Sequence, residues 1–251
     1  MRKVRMDLMF LDELEAEIAR SGIAYIPCGS MEWHGPHLTV GCDFLRARAQ
    51  CEGAAQATGG VVLPPMWVAS AGYSAFRGSI VFSGELVIRF GTELLRELEK
   101  MGFRLAVFVL GHGGPVQEEC FTRACEEHGE GRPLRGMVIA PPGNLDPHPQ
   151  WTAHAGPWET GETLAACAEA VDLERYRPNE PKLPKYDADP ATYQPGLSPR
   201  GRADIDMHMA WTKWKWDPKL VAKVTPEQAE AWLAEDIAGI VKDVKRVVGE
   251  E

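Results

Sequence analysis

Residues 105–114 read Leu-Ala-Val-Phe-Val-Leu-Gly-His-Gly-Gly. The six apolar residues Leu105–Leu110 have the length of a strand and no polar alternation, the pattern of a strand covered on both faces. A histidine set among three glycines follows at once. Working outward, Ile23–Cys28 (IAYIPC) is a second apolar run and is followed by Gly-Ser-Met-Glu-Trp-His. Val61–Leu63 and Gly136–Ala140 are shorter runs of the same kind.

Helical patterns lie between these runs. Leu11–Arg20 is acidic early and basic late, which suits the helix dipole. Asp43–Ala57 is rich in Ala, Arg and Gln, and Glu85–Lys100 ends in Lys shortly before Gly102. Pro115–Glu127 opens on a proline, where a first-turn N–H is not needed. Glu159–Val171 and Thr225–Val248 complete the set, the last opened by Thr-Pro-Glu. Strands separated by helices predict parallel pairing and a three-layer α/β/α sandwich around a mainly parallel sheet. One domain over residues 1–251 is expected, with an irregular Pro-rich lid or interface segment at about 177–216.

Composition narrows the function classes. The 251 residues are 45% hydrophobic and 25% charged, and the formal net charge is −9. That balance argues against a nucleic-acid surface, which needs clustered Lys and Arg, and leaves a small molecule as the expected partner. No segment is long and apolar enough to span a bilayer, so no membrane partner is expected. Acidic residues interrupt the N-terminal segment before any signal-peptide core forms, so a cytoplasmic location is expected. The six cysteines form no Cys-x-x-Cys pair and read as reduced thiols. Cys28 and Cys42 flank the first motif and are placed to line a site there.

In open parallel sheets, ligands bind outside the carboxyl ends of the strands. Glu32, His34 and Asp43 follow the first strand, His112 follows the third, and His154 and Glu159 follow the fourth. Carboxylate oxygen and imidazole nitrogen are ligands suited to Zn, Mn or Fe. In an extended segment Glu32 and His34 point to the same side. The number of donors favours two divalent ions over one, with Asp43 able to bridge them. Trp33, Trp151 and Trp158 are candidate walls for a flat or cyclic substrate, and Arg77 a candidate for holding an anionic group. Trp211–Trp216 alternates aromatic and basic residues and is expected at a subunit interface.

The segments PCGSMEWHGPHLTVGCD, GHGG and HAGPWET together resemble the creatininase (creatinine amidohydrolase) family, from about Ile23 to Val171. The resemblance implies a two-metal site of Zn or Mn, with Fe in some members, and a homo-oligomer, often a hexamer. It implies Glu32, His34, Asp43 and His112 as ligands, Asp43 as the bridge, Glu159 as a further ligand, and His154 as the group that passes a proton to the leaving nitrogen. Trp33 stands where the family usually has Gln, Pro115 where it often has Asn, and Gly114 where creatininase itself carries a metal-binding Glu. The second metal is therefore expected to depend on Glu159, and creatininase activity itself is not expected. The leading expectation is hydrolysis of a C–N bond in a small cyclic amide or formamide. The alternatives are ring opening of a cyclic ketone such as an oxidised inositol, and a metal-binding assembly protein without turnover.

Overall fold

The computed structural model describes residues 2–70, 76–140, 154–177 and 218–249. Four strands form one parallel sheet: β1 (Ile23–Cys28), β2 (Val61–Val62), β3 (Leu105–Leu110) and β4 (Arg135–Ile139). Their order is β2-β1-β3-β4. β1 and β3 pair along their full length, from Ile23 opposite Leu105 to Cys28 opposite Leu110. All twelve of their residues are buried, as the unbroken apolar runs require.

Alternation along β1 and β3 feeds two cores. Ala24, Ile26, Ala106, Phe108 and Leu110 face one core. It is completed by α1 (Leu11–Arg20), α3 (Gly84–Lys100) and α4 (Pro115–His128), through residues such as Ile18, Leu95 and Phe121. Ile23, Tyr25, Leu105, Val107 and Val109 face the other core. There they meet Cys51, Ala54 and Ala55 of α2 (Cys42–Thr58) and Ile240 and Val244 of the last helix, α6 (Pro226–Val248). α5 (Pro157–Ala166) packs outside α2 and against α6. The helices on both faces complete the three-layer sandwich.

Local chemistry sets the helix ends. Ser83 caps α3 by accepting from the Leu86 N–H. Thr225 and Gln228 form a reciprocal capping box at the start of α6, and Gly249 closes it in the left-handed region. α5 differs from expectation: it begins at Pro157 and ends at Ala166, because Cys167 is extended at φ −160° and ψ 88°, and only a 3₁₀ turn at Ala168–Ala170 follows. Residues 178–216 of the expected lid, Trp151 and Trp211–Trp216 lie outside the described residues. Among the described residues no helix is long and apolar enough to cross a membrane.

The strand order has a consequence for function. From β1 the chain goes to one side for β2 and to the other for β3, so the switch point lies between the ends of β1 and β3. A parallel sheet opens its natural crevice there.

Candidate metal centre

That crevice is filled by the start of α2. Gly29 follows β1 and Gly111 follows β3. A Cβ on Gly29 would lie 2.3 Å from the Phe44 nitrogen, and one on Gly111 would lie 2.0 Å from the Asp43 carbonyl oxygen. The two glycines therefore let the helix enter between the strand ends, and Asp43 is carried to the middle of the crevice. Beyond Gly29 burial alternates residue by residue. Ser30, Glu32 and His34 are buried, whereas Met31 and Trp33 are partly exposed.

The buried side chains converge. His34 Nδ1 donates to the Glu32 carbonyl at 3.1 Å, which turns Nε2 toward Asp43 Oδ1 at 2.9 Å and Glu159 Oε2 at 3.8 Å. His112 Nδ1 faces Glu32 Oε2 at 3.1 Å and Asp43 Oδ2 at 3.2 Å. The Ser30 hydroxyl donates to Asp43 Oδ2 at 2.5 Å and lies 3.3 Å from Glu32 Oε2. His154 arrives from the segment before α5. Its Nε2 donates to the Trp33 carbonyl at 2.8 Å, and its ring lies 4.2 Å from that of His34, centroid to centroid.

The charges explain the protonation pattern. Burial disfavours charge on Glu32, but His112 beside it outweighs that and carries Glu32 down to about 2. Burial likewise opposes a charged His112, yet Glu32 and Asp43 raise it to about 10. His34 is held well above its ordinary value, against burial, by Asp43; Asp43 is held well below, against burial, by His34 and His112. His154 and His37 go the other way. Burial first, then the neighbouring His34, lowers both, His37 to about 4.

Glu159 is held by two donors. The Ala155 N–H reaches Oε2 at 2.6 Å, and Arg46 Nη2 reaches Oε1 at 3.0 Å. Ala155 takes a left-handed backbone, φ 54°, alone among the described non-glycine residues, and this bend turns its N–H onto the carboxylate. Arg46 is itself buried. It also donates to Glu162 Oε2 at 2.7 Å and the Gly111 carbonyl at 2.5 Å. Gln50 links Glu162 to Asp236 of α6 through two 3.0 Å hydrogen bonds. Asp236 is pushed up to about 9 by burial and by Glu162.

This arrangement suits a cation. Three carboxylates, Asp43, Glu159 and Glu162, surround one permanent cation, Arg46, and a fourth, Glu32, faces His112. His34 Nε2, Asp43 Oδ1 and His112 Nε2 are buried without a hydrogen-bond partner, an expensive condition that a bound ion, taking the place of the imidazole protons, would relieve. Donor atoms of Glu32, Asp43 and His112, of Glu32, His34 and His154, and of His34, Cys42 and Asp43 form compact groups, each within 4.8 Å. Spacings of 2.9 to 3.2 Å match neighbouring ligands on one divalent ion.

Glu32, His34, Asp43, His112, His154 and Glu159 are thus brought together. Trp33 sits beside them with its ring stacked on Phe76 at 4.8 Å. Trp158 is placed elsewhere, buried between α5 and α6 and stacked on Trp232 at 5.2 Å. Arg77 is exposed. Ser30, Arg46, Gln50, Glu162 and Asp236 escaped the sequence reading. The only available signal was the i, i+3/i+4 run of Asp43, Arg46 and Gln50 along one face of a helix that also buries its alanines.

A model of the family described as "Creatininase: Creatinine amidohydrolase" matches residues 8–242. The chain belongs to the creatininase family. Curated relatives include the creatinine amidohydrolase of Pseudomonas putida, 29% identical over 107 residues (40% of this chain and 41% of that protein). The 3-dehydro-scyllo-inosose hydrolase of Thermotoga maritima is 26% identical over 115 residues (44% and 36%). The chain therefore spans about two fifths of the length of these relatives in the matched regions. Among solved structures, creatinine amidohydrolase superposes with a TM-score of 0.71 at 20% identity, covering 98% of both chains. A manganese form of creatininase gives 0.72 at 20% identity and covers 98% of both chains. A creatininase variant of Zn–Zn type gives 0.71 at 19%, also covering 98% of both. These likenesses establish the family fold.

Proposed function

We propose that the chain is a metal-dependent hydrolase acting on a C–N bond of a small cyclic amide or formamide. One observation carries the reading: buried polar atoms of His34, Asp43 and His112 without hydrogen-bond partners gather in a carboxylate-rich pocket at the switch point of the sheet. Glu32, His34, Asp43 and His112 would hold one or two divalent ions, with Glu159 joining them. Zinc and manganese are the candidates, since creatininase structures of Zn–Zn and Mn type share this fold. The chemistry such an ion supplies is Lewis acidity toward a water and a carbonyl.

The chain's residues do the rest. Ser30 and Arg46 fix the carboxylates from behind. His154 donates through Nε2 to the Trp33 carbonyl, which fixes its ring beside that of His34 at the edge of the site. Its lowered affinity for a proton keeps it neutral near pH 7. It therefore takes a proton from the attacking water before passing one to the departing nitrogen. Trp33, on its Phe76 support, offers a flat wall at the edge of the site.

A second reading is favoured by the inosose hydrolase relative. The same ion and proton carrier would open the ring of a cyclic ketone by C–C cleavage. Elemental analysis of wild type and Glu159→Ala tests the shared core of both readings. About two ions per chain, falling toward one in the variant, is expected for a binuclear centre. A chain that takes up neither zinc nor manganese from excess would sink the proposal. Product analysis then separates the readings: ammonia, amine or formate marks C–N cleavage, and a new carboxylate without released nitrogen marks ring opening. His154→Ala should abolish turnover while retaining metal; unchanged turnover would remove His154 from the mechanism.

A further inference from the structure

We infer that Cys42 is a sulfur ligand of this metal centre and biases it toward thiophilic divalent ions. The inference rests on the metal-site reading above and adds a donor to it.

Cys42 is the first residue of α2 and directly precedes Asp43. Its side chain is wholly buried, and its Sγ belongs to a compact donor group with His34 and Asp43, all within 4.8 Å. On those two neighbours, side chains only 1% exposed, His34 Nε2 and Asp43 Oδ1 are buried and lack hydrogen-bond partners. The sulfur thus lies beside two side chains with buried, unsatisfied polar atoms.

The surroundings favour ligation over simple filling. Cys42 Sγ lies 3.0 Å from Thr163 Oγ1, and the Thr163 hydroxyl donates to the Glu159 carbonyl at 2.7 Å. The thiol proton therefore points to Thr163, leaving the sulfur lone pairs for the His34 side. On ligation the S–H bond breaks, its electron pair stays on sulfur and forms the bond to the ion, and the proton leaves to solvent. The Thr163 hydroxyl can then turn to donate to the sulfur, as groups behind metal ligands commonly do. Across the centre no such growth is available. A Cβ on Gly114 would lie 2.5 Å from His112 Nε2, so that side takes no further carboxylate ligand without displacing the ring. Thiolate ligands select zinc, cobalt and cadmium over manganese and magnesium.

Cobalt(II) provides a readout independent of turnover. The cobalt-loaded wild type should show a sulfur-to-cobalt charge-transfer band in the near ultraviolet. The band should vanish in Cys42→Ser and Cys42→Ala, each still binding cobalt. In Cys42→Ser the preference for zinc over manganese, measured by competition, should fall about tenfold or more. X-ray absorption at the zinc edge of the wild type needs no variant and should report one sulfur neighbour. Cobalt bound with no thiolate band, or zinc with only nitrogen and oxygen neighbours, would make Cys42 a packing residue and leave the metal centre standing. A band that persists in Cys42→Ala would move the role to another cysteine and overturn the assignment. No cobalt or zinc uptake at all would remove the proposed function together with this inference.

Discussion

The two helical layers that sandwich the sheet are built on opposite terms. The α1/α3/α4 layer meets the sheet through an apolar core, with Phe108 stacked on Phe121 at 4.7 Å. The α2/α5/α6 layer buries a polar chain from Asp43 through Arg46, Glu162 and Gln50 to Asp236. Burying these groups costs stability unless every partner is present. Both layers pack apolar residues on the sheet, but only the second, beyond its Cys51, Ala54, Ala55, Ile240 and Val244 core, also fixes the carboxylates at the strand ends.

Substitutions in the two layers should therefore fail differently. The largest effect is expected for Arg46→Met, which leaves Glu159 and Glu162 buried without their cation. A loss of about 3–5 kcal/mol in denaturant unfolding should accompany weakened zinc binding by calorimetry. Wild-type stability in this variant would refute the contrast. Phe121→Ala should cost slightly less, about 3 kcal/mol, with metal stoichiometry unchanged in the folded fraction. Metal loss there would mean the two layers are not separable.

Ser30→Ala comes next. It removes the donor that orients Asp43 and Glu32 and should lower metal affinity about 10–100-fold with little change in the melting temperature of the metal-free protein. An unaltered affinity would show that the carboxylates orient themselves.

Asp236→Asn should have the smallest effect near pH 5. Asp236 sits at about 9 when folded against about 4 unfolded. The folded chain thus keeps a proton that the unfolded chain releases between those values. Stability from this group is full below about pH 4 and declines as pH rises toward 9, by at most about 1.4 kcal/mol per unit. Asparagine mimics the protonated acid, so the variant's stability should fall less steeply over that window. Parallel slopes for variant and wild type would refute a proton held at Asp236 in the folded chain.

The same contrast decides what could be read from the sequence. The sheet was legible because Ile23–Cys28 and Leu105–Leu110 are apolar on both faces, and the candidate site could be sought at its edge because the histidines and carboxylates gathered there follow those runs. The polar layer was not. Arg46, Gln50, Glu162 and Asp236 are residue types that normally face water, and nothing local distinguishes a buried network of them from a solvated helix face. Only contacts separated by more than a hundred residues, such as Arg46 with Glu162, bring them inside. Trp158 lies apart from the gathered side chains for a related reason. A residue next to Glu159 in sequence is turned about 100° away from it on a helix, and Trp158 stacks on Trp232 of α6.

Gly114 also constrains how this branch could have diverged from members with a glutamate two residues after the strand-end histidine. With His112 Nε2 only 2.5 Å from where a Cβ at 114 would lie, any side chain at 114 requires the imidazole to shift. Grafting an acid at 114 onto this chain is therefore a two-part change, the side chain itself and a new resting place for the His112 ring.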